Sequence, residues 1–220
     1  MGADNDPARH GPNLGKHTER GFDRLVNFSD AVVAIAITLL VLPLVDVVGE
    51  MDSSSQIPEK LAESVPAIIA FLVTFVVAAT FWIVHHRLFE YIGDYDAGLL
   101  WLSIGWLACM VFLPFSSALV NEFSFADGAG MLYCGTLALV ALFQALIAWH
   151  ARRTPSLRAQ GATPQMLSPR TSVILMVYFA AVGLISLRFP DGSSYLLLGL
   201  IPITHYDRVS GAAARLMSRR

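Results

Sequence analysis

Six long apolar runs separated by short polar connections limit what this chain can become. They fall at about 22–44, 57 or 61–84, 99–120, 131–149, 171–187 and 195–206. A straight helix needs about 20 such residues to cross the hydrocarbon core of a bilayer. The sixth run is short and holds Pro202, so it spans only where the bilayer thins or neighbouring helices shelter it. With 55% hydrophobic and 15% charged residues and a mean hydropathy of +0.58, the chain has too few charges to cover a water-soluble surface of its size. The expected fold class is therefore all-α, a polytopic membrane protein of six transmembrane helices.

The basic residues sort by side. With an even number of spans both termini share one face, which receives Arg9, Lys16, Arg20, Arg24, Arg87, Arg152, Arg153, Arg158, Arg170, Arg208, Arg215, Arg219 and Arg220, against Lys60 and Arg188 opposite. Positive charge accumulates on cytoplasmic loops, so both termini are expected in the cytoplasm and the chain in a cytoplasmic membrane. Residues 1–20 read as a polar tail with no apolar stretch of the kind a signal peptide needs, 21–207 as the membrane domain and 208–220 as a basic tail. The net charge of −2 gives no reason to expect a nucleic-acid partner. Cys109 and Cys134 both sit in apolar runs, where cysteine acts as a small core residue more often than as a disulfide or metal ligand.

The first run is the unusual one. From Ala31 to Leu42 it holds only apolar residues and Thr38, yet it is entered through Arg24, Ser29 and Asp30, groups that a plain membrane anchor excludes. Ile35, Leu39 and Leu42 stand at i, i+4 and i+7 on one face of a helix, with Thr38 on an adjacent stripe. Two readings stand for that stripe. It packs against lipid or a neighbouring helix, or it lines a pore in which the aliphatic side chains form a constriction and the Thr38 hydroxyl replaces part of an ion's water shell. No Thr-Val-Gly-Tyr-Gly segment occurs, so a filter of that carbonyl-lined type is not expected.

Asp30 lies roughly 12 Å along the first helix, where an unpaired carboxylate is costly. Trp82, His85 and His86 cluster near the matching end of the second run. One reading is a proton relay between Asp30 and a histidine. The other is a clamp in which Ser29 and Asp30 accept hydrogen bonds from Trp82 and a histidine, and it is favoured because an indole N–H only donates. Asp46, Glu50 and Asp52 in the first outer connection either raise the local cation concentration or simply face water. Pro114 in the third run marks a site of helix bending. Neither G-x-S-x-G nor H-E-x-x-H occurs, and adjacent His85 and His86 diverge by about 100° on a helix, a poor start for a metal. No enzymatic chemistry and no cofactor is expected.

Taken together, Arg24-x-x-x-Phe28-Ser29-Asp30, the following Ala-Ile-Ala-Ile-Thr-Leu-Leu-Val-Leu, Phe81-Trp82-x-x-His85-His86-Arg87-Leu88-Phe89, Leu100-Trp101-Leu102 and Leu113-Pro114-Phe115-Ser116 resemble the prokaryotic branch of the lysosomal-type potassium channels, the transmembrane protein 175 family. The resemblance covers about residues 20–120. It implies a homotetramer of six-span subunits around the first helix, embedded in lipid and conducting K+. The pore constriction would fall at Ile35, then Leu39 and Leu42, and Thr38 would bear on potassium preference. Arg24, Phe28, Ser29, Asp30, Trp82, His85 and His86 would form a structural polar network. The competing expectations are a proton-coupled transporter or proton-leak path through Asp30 and His85 or His86, and a membrane scaffold that transports nothing.

Overall fold

The computed structural model describes residues 19–49, 53, 57–123 and 128–188. Among the described residues seven α-helices follow in order: α1 Glu19–Leu39, α2 Leu42–Gly49, α3 Ile57–Glu63, α4 Val65–Phe89, α5 Ala97–Phe123, α6 Ala129–Arg153 and α7 Arg170–Ser186. Among the described residues four segments are long and apolar enough to cross a membrane, namely Arg20–Val47, Val65–Phe89, Ala97–Phe123 and Ala129–Arg153, and α7 is a shorter apolar helix. The sixth expected run, residues 1–18 of the first tail and the whole of the second lie outside the described residues, while Glu19 and Arg20 begin α1.

Two of the expected runs are not single helices. The first breaks at Leu40–Val41, because Pro43 has no N–H to offer Leu39 and its ring crowds that carbonyl. The last turn of α1 tightens instead, with Leu40 N–H donating to Ile37 O and Val41 N–H to Thr38 O, both at 3.3 Å. The second breaks at Ser64, two residues before Pro66, and only α4 carries the long helix. The left-handed φ of 85° that starts α6 falls on Gly128, which has no Cβ to strain there.

α6 is the axis of the protomer. It packs most extensively against α7 and α5 and buries one broad face along its whole length, from Tyr133 and Cys134 to Ala148 and Ala151, while Leu132, Leu139 and Trp149 on the other face are exposed. A hydroxyl cluster ties three helices: Thr74 Oγ1 lies 3.1 Å from Ser117 Oγ and 3.0 Å from Tyr133 Oη. In a medium without water such groups must satisfy one another. Both cysteines are free thiols, with Cys134 fully buried.

Gly105 lets α5 and α6 approach. A Cβ there would stand 2.4 Å from Cε1 of Phe143, so Gly105→Ala forces the ring or the helix to move. Overpacking of this kind costs about 1–3 kcal/mol. We expect a lower melting temperature in detergent for Gly105→Ala and partial recovery in Gly105→Ala/Phe143→Leu; equal melting of wild type and single variant would mean the ring swings away freely.

One end of the bundle is stapled by its connections. Gly93 N–H donates to Leu157 O at 2.8 Å, Ala159 N–H to Tyr91 O at 3.0 Å, and the ring of Tyr95 sits against Gly21 of α1. Arg20, Arg24, Arg87, Arg152, Arg153, Arg158 and Arg170 share that end, while Lys60 and Arg188 belong to the other.

Candidate functional site

α1 packs against α5 and α4 through one stripe only. Leu25, Ser29, Val33, Ala36 and Leu40 are buried, at spacings of four, four, three and four residues that keep them on one face. Most of the remaining helix surface is left uncovered by the protomer. Phe28, Ile35 and Leu39 lie on it, with Ile35 60% exposed. Thr38 is exposed beside them, and its hydroxyl donates to Ile35 O at 2.8 Å. The hydroxyl proton is thereby engaged within the helix, so the oxygen's outward side is acceptor only, the polarity a cation requires. Leu42 is also exposed, but it opens α2 beyond the helix break, so it does not continue the stripe by simple helical spacing.

Asp30 meets α4 directly: Trp82 Nε1 donates to Asp30 Oδ1 at 2.8 Å. The other expected members of the polar network are placed differently. Ser29 does not accept from Trp82 or a histidine; its Oγ donates to Leu25 O of its own helix at 2.9 Å, the usual way a helical serine satisfies itself in a dry setting. Among the described residues His86 meets the network through a tilted ring contact with Trp82, centroids 5.4 Å apart at 31°. His85 faces the core, stacked on Trp106 at 3.8 Å and 7°, and neither ring nitrogen has a hydrogen-bond partner among the described residues. Arg24 and Phe28 are exposed, and Arg24 forms no ion pair among the described residues. The histidines diverge as helical spacing requires, and no group of three metal-ligating side chains occurs among the described residues.

Sequence reasoning missed a recess of about 320 Å³ between α1 and α4 at the arginine-rich end, where Asp23, Asn27, His86 and Glu90 gather. The i, i+4 pairs Asp23/Asn27 and His86/Glu90 were its only signal. Two carboxylates around a wet recess attract cations.

A second missed pair fixes the same end. His150 Nε2 lies 2.9 Å from Asp96 Oδ2, and Leu99 N–H donates to Asp96 Oδ1 at 2.7 Å at the start of α5. Burial works to raise the Asp96 pKa, but the Leu99 N–H and the hydrogen bond and charge of His150 outweigh it and hold the carboxyl below its ordinary value of 3.8. A depressed pKa means stability that is complete above the unfolded value and is lost as pH falls through the folded one. The expected result is that Asp96→Asn melts below wild type at neutral pH and that the gap shrinks once pH drops under 3.8; a gap unchanged in acid would exclude the carboxylate as its source.

The model of the endosomal/lysosomal potassium channel TMEM175 family matches residues 24–114. A potassium channel of Chamaesiphon minutus is 31% identical over 142 residues, covering 63% of this chain and 70% of that protein. A potassium channel of Streptomyces collinus is 32% identical over 135 residues, with 60% and 65% covered. The human endosomal/lysosomal proton channel TMEM175 is 27% identical over 224 residues, with 97% and 44% covered, so the chain spans less than half of the human protein and 65% of the Streptomyces one. The crystal structure of the Chamaesiphon minutus lysosomal potassium-selective channel TMEM175 homolog aligns with a TM-score of 0.53 at 25% identity, covering 81% of this chain and 97% of that one. The potassium channel MtTMEM175 aligns at 0.54 and 20% identity, which bears on the fold alone.

Proposed function

Since the chain is a prokaryotic member of the endosomal/lysosomal potassium channel TMEM175 family, we propose that it is a potassium-selective or weakly selective cation channel. Four copies assemble around α1, with both termini in the cytoplasm of a prokaryotic cell whose cytoplasmic membrane holds the channel. The observation that carries this reading is the uncovered stripe of Phe28, Ile35, Thr38 and Leu39 on a helix whose other face is buried in its own subunit. Placed on a shared axis, Ile35, Leu39 and Leu42 form the hydrophobic constriction, which passes ions only when it wets. The Thr38 oxygen, its proton turned into the helix, meets the ion. The recess of Asp23 and Glu90 gathers cations at the inner mouth, and Asp46 does so at the outer; Glu50 and Asp52 lie outside the described residues.

Reconstituted vesicles test this. The channel passes potassium without a pH gradient, and Thr38→Ala lowers the preference for potassium over sodium by about threefold to tenfold, a net difference between the two ions of about 1 kcal/mol summed over the four hydroxyls. A single-channel recording in mixed potassium and sodium reads the ratio directly; an unchanged reversal potential in Thr38→Ala would remove that residue from the ion's path.

A second reading has support of its own, since the vertebrate relatives are named proton channels. Here a proton path uses Asp30 and His86; His85, sealed against Trp106, would need the core to open. Flux that requires a proton gradient and disappears in Asp30→Asn with the fold intact would establish it. Vesicles silent under every condition would leave only a scaffold.

A further inference from the structure

Away from α1, a cleft of about 430 Å³ runs between α4, α6 and α7, and its lining changes character along its length. Towards the arginine-rich end it presents Arg87, Ser168 and Ser172; towards the middle of the bundle it is walled by Val76 and Leu175. Val76 precedes Arg87 by eleven residues, roughly 16 Å along α4, close to half the hydrocarbon thickness of a bilayer. The volume lies in the range of small-molecule sites.

Two features define what fits. The Arg87 guanidinium forms no ion pair among the described residues. The first ladder bond of α7 runs from Val173 N–H to Pro169 O, so the positive end of that helix dipole lies beside Ser172.

We propose that this cleft is a binding site for an anionic phospholipid of the leaflet on the arginine-rich side. The phosphate sits between Arg87 and the start of α7, and a chain follows Val76 and Leu175 towards the middle of the bundle. The site is independent of the conduction path and stands even if the chain conducts nothing.

Native mass spectrometry of the detergent-purified full chain, titrated with phosphatidylglycerol or phosphatidylcholine, tests it. Wild type should retain phosphatidylglycerol in preference. Arg87→Gln should cut that retention about fivefold, the scale of one arginine near an anionic headgroup, Arg87→Lys should restore most of it, and Arg153→Gln at the same end should leave it unchanged. Equal retention of the two lipids, or equal losses from Arg87→Gln and Arg153→Gln, would overturn the site. Displacement by millimolar inorganic phosphate would reduce it to an anion site. An Ile83→Cys/Ile203→Cys disulfide that forms whether or not phosphatidylglycerol is present would show that the chain's own C-terminal segment takes the place assigned to lipid, and would equally defeat the proposal.

Discussion

Replacing Ile35 by alanine is expected to raise the resting potassium leak of reconstituted vesicles by about tenfold or more. Ile35 is the most exposed aliphatic residue on the outward face of α1, and on the proposed axis its copies form the narrowest ring. A ring of this type blocks ions because water leaves it, so its barrier scales with the apolar surface it presents. Isoleucine to alanine removes three carbons per subunit, each worth about 0.8 kcal/mol of hydrophobic free energy. Losing even about 1.4 kcal/mol of that barrier gives the tenfold change. Leu39 is only 37% exposed and lies at the end of α1, so Leu39→Ala should leak less than Ile35→Ala. The same face could instead meet lipid, and the two arrangements separate cleanly. If Ile35→Ala leaves flux at the wild-type level and cysteines at position 35 fail to cross-link between subunits, the stripe faces outward and conduction along α1 is wrong.

How much of this was legible beforehand depends on what each feature rests on. Span positions rest on hydropathy over windows of about 20 residues, and the first four apolar runs match segments long enough to cross a membrane. The break at Leu40–Val41 had a visible cause in Pro43, yet the apolar pattern runs straight through it and masks the change from α1 to α2. The Trp82–Asp30 contact followed from a donor that needs an acceptor and a carboxylate that cannot stay bare. The destinations of Ser29 and His85 did not follow, because they turn on the rotation of each helix about its axis. Serine can satisfy itself within one turn, and the stacking of His85 on Trp106 depends on a residue from α5 that no local spacing connects to α4. The Asp96–His150 pair is hidden for the same reason, since its members come close only when the loops at the arginine-rich end are closed.

Trp82→Phe is expected to destabilise the protein far more than Asp30→Asn does, although both touch one hydrogen bond. In wild type the indole Nε1 reaches Asp30 Oδ1 at 2.8 Å, a bond to a charged acceptor worth about 1.5–3 kcal/mol. Phenylalanine fills most of the indole's space but leaves the carboxylate without its donor inside a span, where an uncompensated charge costs about as much again. Asparagine keeps an acceptor for the indole and removes the charge, so the contact survives in weaker form. The double variant Trp82→Phe/Asp30→Leu removes both partners and should recover much of what Trp82→Phe loses, and with the single Asp30→Leu it closes a double-mutant cycle with a coupling of about 1–3 kcal/mol. Thermal melting of the detergent-purified protein measures the stabilities, and potassium flux from the same preparations separates clamp from relay. A clamp predicts that Asp30→Asn still conducts; an Asp30→Asn protein that melts like wild type and passes nothing would assign Asp30 to transport. Additive losses in the double variant would mean that the two side chains, though in contact, do not hold α1 against α4.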